Sequence, residues 1–151
     1  MPAAMPTATL RSGAETLPPV GLYTLAAKLF AEGQRDEATR WLYVAQIRAR
    51  FHLAVSPGLR PDAEPAIYAA LNEDVGRPIN EWAFGDVEAA AARMQKALDW
   101  DAAHRDGFTP KNGREAALER VRGGLVRLRT QVLAEKDDMR RERHANGLEN
   151  R

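Results

Sequence analysis

The chain of 151 residues contains no cysteine. That removes disulfide frameworks, thiolate nucleophiles and cysteine-ligated zinc, and it leaves the redox compartment open. No apolar run approaches the roughly 20 residues that a membrane-spanning helix needs, and no positively charged stretch precedes an apolar one at the N-terminus. The chain therefore reads as a soluble protein. Serine occurs only as Ser12 and Ser56, and histidine only as His52, His104 and His144. A Ser/His/Asp arrangement has almost nothing to be built from. The net charge of +1 gives little long-range attraction for a polyanion.

Charge is segregated along the chain. Residues 1–59 carry six Lys or Arg against four Asp or Glu, residues 60–110 five against ten, and residues 111–144 ten against six. Such polarity suits acidic and basic helices lying side by side. Residues 1–19, MPAAMPTATLRSGAETLPP, are rich in Ala, Thr and Pro and carry no helical stripe. They read as a flexible leader. This start fits a cytoplasmic protein, or a periplasmic one if it is a mature end left after signal removal.

What is present is helical periodicity, with no strand alternation. The expectation is an all-α bundle of five to six helices: a leader over 1–19, one helical domain over 20–134, and a charged, partly exposed helical tail over 135–151. Pro18 and Pro19 suit a helix start, Leu22, Leu25, Ala26 and Leu29 form a stripe, and Gly33 suits the end. A second helix spans about 35–54, with Asp36 and Glu37 in its first turn. SPGLRPDAEP is a loop, followed by a helix from Ala63, capped by Asp62, to Val75. Asp86 caps a helix whose Val87, Ala91, Met94 and Leu98 recur at helical spacing. Thr109 and Pro110 suit the start of a long last helix bearing Leu118, Val121, Leu125, Leu128 and Val132. Its Gly123–Gly124 pair implies close backbone approach by a neighbour.

Between these helices lies GRPINEWAFGD, residues 76–86. Gly76 ends one helix, Pro78 opposes simple continuation, and Asn80 suits the cap of a single turn through Glu81, Trp82 and Ala83. Ile79, Trp82 and Phe84 then plug the seam between helices, or Trp82 and Phe84 form an aromatic anchor for a partner.

Residues 22–50, LYTLAAKLFAEGQRDEATRWLYVAQIRAR, resemble one tetratricopeptide or Sel1-type repeat, on Leu25, Ala26, Gly33, Ala38, Leu42 and Ala45. In that family small residues let two antiparallel helices approach and a glycine makes the turn. No second copy follows at a period near 34 residues. The resemblance implies a helical scaffold that binds proteins and performs no chemistry. The overall layout also resembles small bacterial immunity proteins encoded beside secreted toxins.

Three function classes can be framed. The first is a non-enzymatic protein-binding module, an immunity-type or adaptor protein. Its surface would comprise Tyr68, Glu73, Asp74, Glu81, Trp82, Phe84 and Asp86, an acidic patch with aromatic centres suited to a basic partner. It calls for no cofactor, metal or membrane. The second is a small metal-dependent hydrolase using Asp101 and His104 of DWDAAH, which share a helix face at a spacing of three. The third is nucleic-acid binding through Arg120 and Arg127, or Arg122 and Arg129, aligned at seven residues, together with Arg140, Arg141 and Arg143. Interleaved carboxylates weaken that reading.

Overall fold

The computed structural model describes residues 4–151, and every regular element among them is helical. They are α1 (Thr7–Ser12), a 3-10 turn (Ala14–Thr16), α2 (Pro19–Ala31), α3 (Arg35–Ala54), α4 (Glu64–Leu71), a π-helical turn (Asn72–Gly76), α5 (Arg77–Ala83), α6 (Val87–Ala103), α7 (Glu115–Ala134) and α8 (Lys136–Ala145). No described helix is long and apolar enough to cross a membrane.

The central element is α3, which packs against α2, α5, α6 and α7. Residues on all its sides are buried, including Trp41, Leu42, Tyr43, Val44, Ile47 and Phe51, as expected of a helix at the middle of a bundle. The antiparallel pair α2 and α3 is closed by Gly33, whose φ of +85° suits glycine. Gln34 N donates to Leu29 O at 2.9 Å and Gly33 N to Phe30 O at 3.1 Å, satisfying the last carbonyls of α2. Ala26, Ala38 and Ala45 lie fully buried in this pair, where their small size allows the helices to close on each other.

The flexible leader expected over 1–19 is corrected for residues 4–19; residues 1–3 lie outside the described part. Leu10 of α1 is fully buried, which contributes about 1.5–3 kcal/mol. Arg11 grips Glu37 through Nε at 2.7 Å and Nη2 at 3.1 Å, and Trp41 Nε1 donates to the same carboxylate at 3.0 Å. One leucine and one arginine are too few to register as periodicity in an Ala- and Thr-rich stretch.

Pro78 does not end a helix as expected. The path from Glu64 to Ala83 stays helical, and it widens to a π turn over Asn72–Gly76 immediately before the proline. A proline ring clashes with the carbonyl four residues earlier and removes a donor. Widening the turn shifts the hydrogen-bond register to i→i+5 and relieves that clash. Asn80 therefore sits within α5 rather than capping a separate turn, and Asp62 pairs with Arg60 at 2.8 Å instead of capping α4.

Asp86 does cap α6, accepting from Ala89 N at 3.1 Å. Asp86→Ala is expected to cost about 1 kcal/mol, measurable as a lower midpoint in urea denaturation with the m-value unchanged. The start of α7 is later than expected. Thr109 and Pro110 belong to a loop organised by Asp106, whose Oδ1 accepts from Phe108 N at 3.0 Å and Thr109 N at 2.8 Å. Nor does a neighbouring backbone approach the glycine pair. A β-carbon on Gly123 would meet only Arg127 Nη1, at 3.4 Å.

The last helix breaks at Glu135, and α8 buries none of its side chains. Beyond it the chain does not fray. Gly147, with φ of +74°, reverses it, and Arg151 N donates to Gly85 O at 2.6 Å. The tail thus returns to α5.

Candidate partner-binding cleft

The π turn, α5, α8 and the returning tail enclose a cleft of about 480 Å³. Phe84, Met139 and Leu148 give it apolar surface, and Glu73, Arg77, Glu81, Glu142 and Arg143 its charged rim. On one wall stand Asn72 and Asn80, each fixed from behind by a core tyrosine. Tyr23 Oη donates to Asn72 Oδ1 at 2.6 Å, Gln46 Nε2 adds a bond to the same oxygen at 3.2 Å, and Tyr43 Oη donates to Asn80 Oδ1 at 2.7 Å. Burial raises both phenols, that of Tyr23 to about 12, so at neutral pH each remains a donor. With the carboxamide oxygens held in this way, neither Nδ2 has an acceptor among the described residues. On the facing wall Arg143 Nη2 donates to Glu149 O at 2.6 Å, while its Nε is buried without an acceptor. Burial, and then the nearby Arg151, hold that guanidinium below its usual range.

The residues expected to form a partner surface divide. Glu73, Glu81 and Phe84 line the cleft. Arg77 lies between the two carboxylates, 2.9 Å from Glu73 and 3.6 Å from Glu81, in exposed pairs that contribute about 0–1 kcal/mol. Trp82 is half-buried on the adjoining flank, its ring edge against Phe30 at 6.5 Å and its face under the Arg151 guanidinium at 4.2 Å. Asp74 is exposed on the π turn outside the cleft, and Asp86 is engaged at the α6 start. Tyr68 is corrected. It is buried, donates to Glu64 Oε2 at 3.2 Å and meets the His52 ring edge-on, facing inward rather than toward a partner. The seam-plug reading applies to Ile79, which is 1% exposed.

Asp101 and His104 are each held by other partners and not by one another. Both carboxylate oxygens of Asp101 are taken: Arg48 Nε reaches Oδ1 at 2.9 Å, and Arg122 Nε and Nη2 reach Oδ2 at 3.0 and 2.6 Å. Arg48, itself 1% exposed, also donates to the carbonyls of Glu15, His104 and Arg105. The Lys111 amine bonds the carbonyls of Asp101 and His104, and burial, only partly offset by Asp101, holds it below the usual lysine range. His104 stacks on Trp100 at 4.3 Å and bonds its carbonyl through Nδ1 at 2.7 Å. The cluster binds the end of α6 to α3, α7 and the N-terminal segment. Among the described residues no group of three His, Asp or Glu comes together to hold a metal ion.

A second polar cluster was not visible in sequence. His52 lies between Thr109, with Nδ1 2.8 Å from Oγ1, and Glu64, with Nε2 2.7 Å from Oε2. Although Nε2 is that close, it makes no aligned hydrogen bond. Thr109 is 4% exposed, so its hydroxyl ties the loop to α3 inside the fold, and the other side of the His52 ring faces Glu64 of α4. The arginine stripes of α7 also split. Arg122 and Arg129 turn inward to Asp101 and Gln95 of α6, leaving Arg120 and Arg127 exposed.

No family model matches the chain, and no solved structure matches it. Over 86 residues it is 30% identical to an uncharacterized protein of Haemophilus influenzae (strain Rd), a match covering 57% of this chain and 33% of that protein. The matched part therefore spans about a third of that relative's length.

Proposed function

We propose that the chain is a non-enzymatic helical protein-binding module whose binding surface is the cleft between α5 and α8, and that it takes an extended segment of a partner protein. The observation that carries this is the pair Asn72 and Asn80. Their oxygens are committed to buried tyrosines, so each offers a positioned N–H donor beside the apolar surface of Phe84, Met139 and Leu148. A peptide backbone supplies carbonyl acceptors for such donors, and its side chains supply apolar cover. The resemblance of residues 22–50 to a tetratricopeptide or Sel1-type repeat, read from sequence, implies the same class. The acidic Glu73, Glu81 and Glu142 on the rim favour a basic partner, and an immunity-type inhibitor or an adaptor is the specific form we assign.

A second support is what the ionisable groups are doing. Asp101, the best acid for a hydrolase, is saturated by two arginines, and the arginines needed for a phosphate-tracking stripe are partly turned inward.

Selection from a random displayed-peptide library against the folded protein tests the reading. Enriched sequences should bind with Kd values on the order of micromolar, and Met139→Glu should weaken them roughly tenfold or more by placing a charge in the apolar part of the cleft. Met139 is only partly buried, on a helix that buries no side chain fully, so circular dichroism should be unchanged. Enriched peptides that bind Met139→Glu as tightly as the wild type would exclude this cleft.

A further inference from the structure

Residues 147–151 cross from the end of α8 to the end of α5, and their contacts there are made by backbone and by one arginine. Arg151 N donates to Gly85 O at 2.6 Å, Arg151 Nη1 donates to Trp82 O at 2.7 Å, and its guanidinium carbon stands 4.2 Å from the centre of the Trp82 ring. Phe30 meets the same ring edge-on and fixes its plane. Gly85 is buried, and its backbone does not require glycine. What the missing side chain provides is room: a β-carbon would come within 2.5 Å of Arg151 Nη1 and 3.0 Å of Glu149 O. The end of α5 is thus a shaped seat for an extended chain bearing an arginine. Cation–π contact and a backbone pair supply its affinity.

The segment occupying this seat lies on the surface, tied to α8 by bonds from Arg143 Nη2 to Glu149 O at 2.6 Å and from Asn150 Nδ2 to Arg140 O at 3.0 Å. None of residues 147–151 is buried, although Leu148, which is 39% exposed, and Asn150 are each more than half covered. A tethered segment needs little intrinsic affinity, because the tether sets an effective concentration on the order of millimolar. We propose that the Trp82–Gly85 seat recognises an arginine-bearing extended segment of a partner protein, and that residues 147–151 are an internal substitute which that segment displaces. Leu148 also lines the cleft, so displacement opens the same surface on which the proposed function rests.

The test uses the full chain and a synthetic peptide corresponding to residues 145–151, with the three tryptophan indole N–H resonances as readout and Trp82→Phe to assign one of them. Arg151→Ala frees the seat without touching it. This variant should bind the peptide, shifting the Trp82 resonance, at least about fivefold more tightly than the wild type, whose own tail competes. Adding Gly85→Ala to Arg151→Ala should abolish binding, because the new methyl fills the space the arginine needs. Equal affinity for wild type and Arg151→Ala, or binding that survives Gly85→Ala, would overturn the proposal. Display-selected peptides blocked by Met139→Glu but indifferent to Arg151→Ala would remove the substitute role and leave the cleft reading standing. Peptides indifferent to Met139→Glu, alongside a 145–151 peptide that follows the expected pattern, would retain the seat and remove the cleft.

Discussion

Asp101→Ala is expected to lower the stability of the protein by about 3–5 kcal/mol, the largest effect of any single substitution considered. The carboxylate is 1% exposed and lies between Arg48, equally buried, and Arg122. Removing it leaves the Arg48 guanidinium in the interior with carbonyl acceptors and, as counter-charge, only the buried Asp106 carboxylate at 4.0 Å, and desolvation of an under-compensated cation is the dominant cost. For a chain of this size that corresponds to a fall in Tm on the order of 10 °C. Adding Arg48→Met should recover about 1 kcal/mol or more, because the stranded charge goes with it, although the carbonyls of Glu15, His104 and Arg105 then lose a donor. Urea denaturation of the two single variants and the double variant closes the cycle. A loss below about 1 kcal/mol for Asp101→Ala would be the value of an exposed pair, and would mean that this carboxylate is not an interior anchor.

Ile79→Ala should cost about 2–5 kcal/mol. Ile79 is 1% exposed at the α5–α3 interface and belongs to the main apolar core. Its loss leaves a cavity in the core that also holds Tyr43, the partner of Asn80 on the cleft wall. Trp82→Ala, three residues on, should cost clearly less, although tryptophan is the larger side chain, because Trp82 is only half-buried and part of its cover is the Arg151 side chain. Parallel denaturation of the two variants separates a core plug from a surface anchor. Equal losses would put Trp82 in the core with Ile79.

These two residues also show what could be read from the chain in advance. The helices α2, α3 and α6 were legible because each carries an apolar stripe repeated over several turns, and such a stripe has no stable arrangement except against another helix. The turn at Gly33 and the cap at Asp86 were legible because one residue type satisfies a local backbone demand there. What escaped reading depends on pairs distant in sequence. Arg48 and Asp101 are 53 residues apart, and nothing local to either announces burial. The docking of α1 rests on Leu10, Arg11 and a bond from Thr7 to Glu32, and the seat at Gly85 is a backbone contact with residues 149–151 that no periodicity encodes. Pro78 misled for a physical reason: a π turn accommodates proline inside a helical path, a solution that pattern rules score as a break.

Part of the cleft was within reach of sequence reasoning and part was not. Glu73, Glu81 and Phe84, which line the cleft, stand out in sequence as an acidic stretch with aromatics. Asn72 carries no sequence signal and Asn80 reads only as a helix cap, since an asparagine in a helix is unremarkable until a buried tyrosine is seen to hold its oxygen. Met139 and Leu148 were assigned to an exposed tail, and only the break at Glu135 and the reversal at Gly147 bring them back toward α5.

The most direct test of the account is a backbone amide chemical-shift map of the isotopically labelled protein titrated with one display-selected peptide. The account predicts that perturbations cluster at residues 72–84 and 139–148, the two walls of the cleft. Perturbations centred instead on the Trp100–His104 end of α6, or on the outer face of α7, would contradict it.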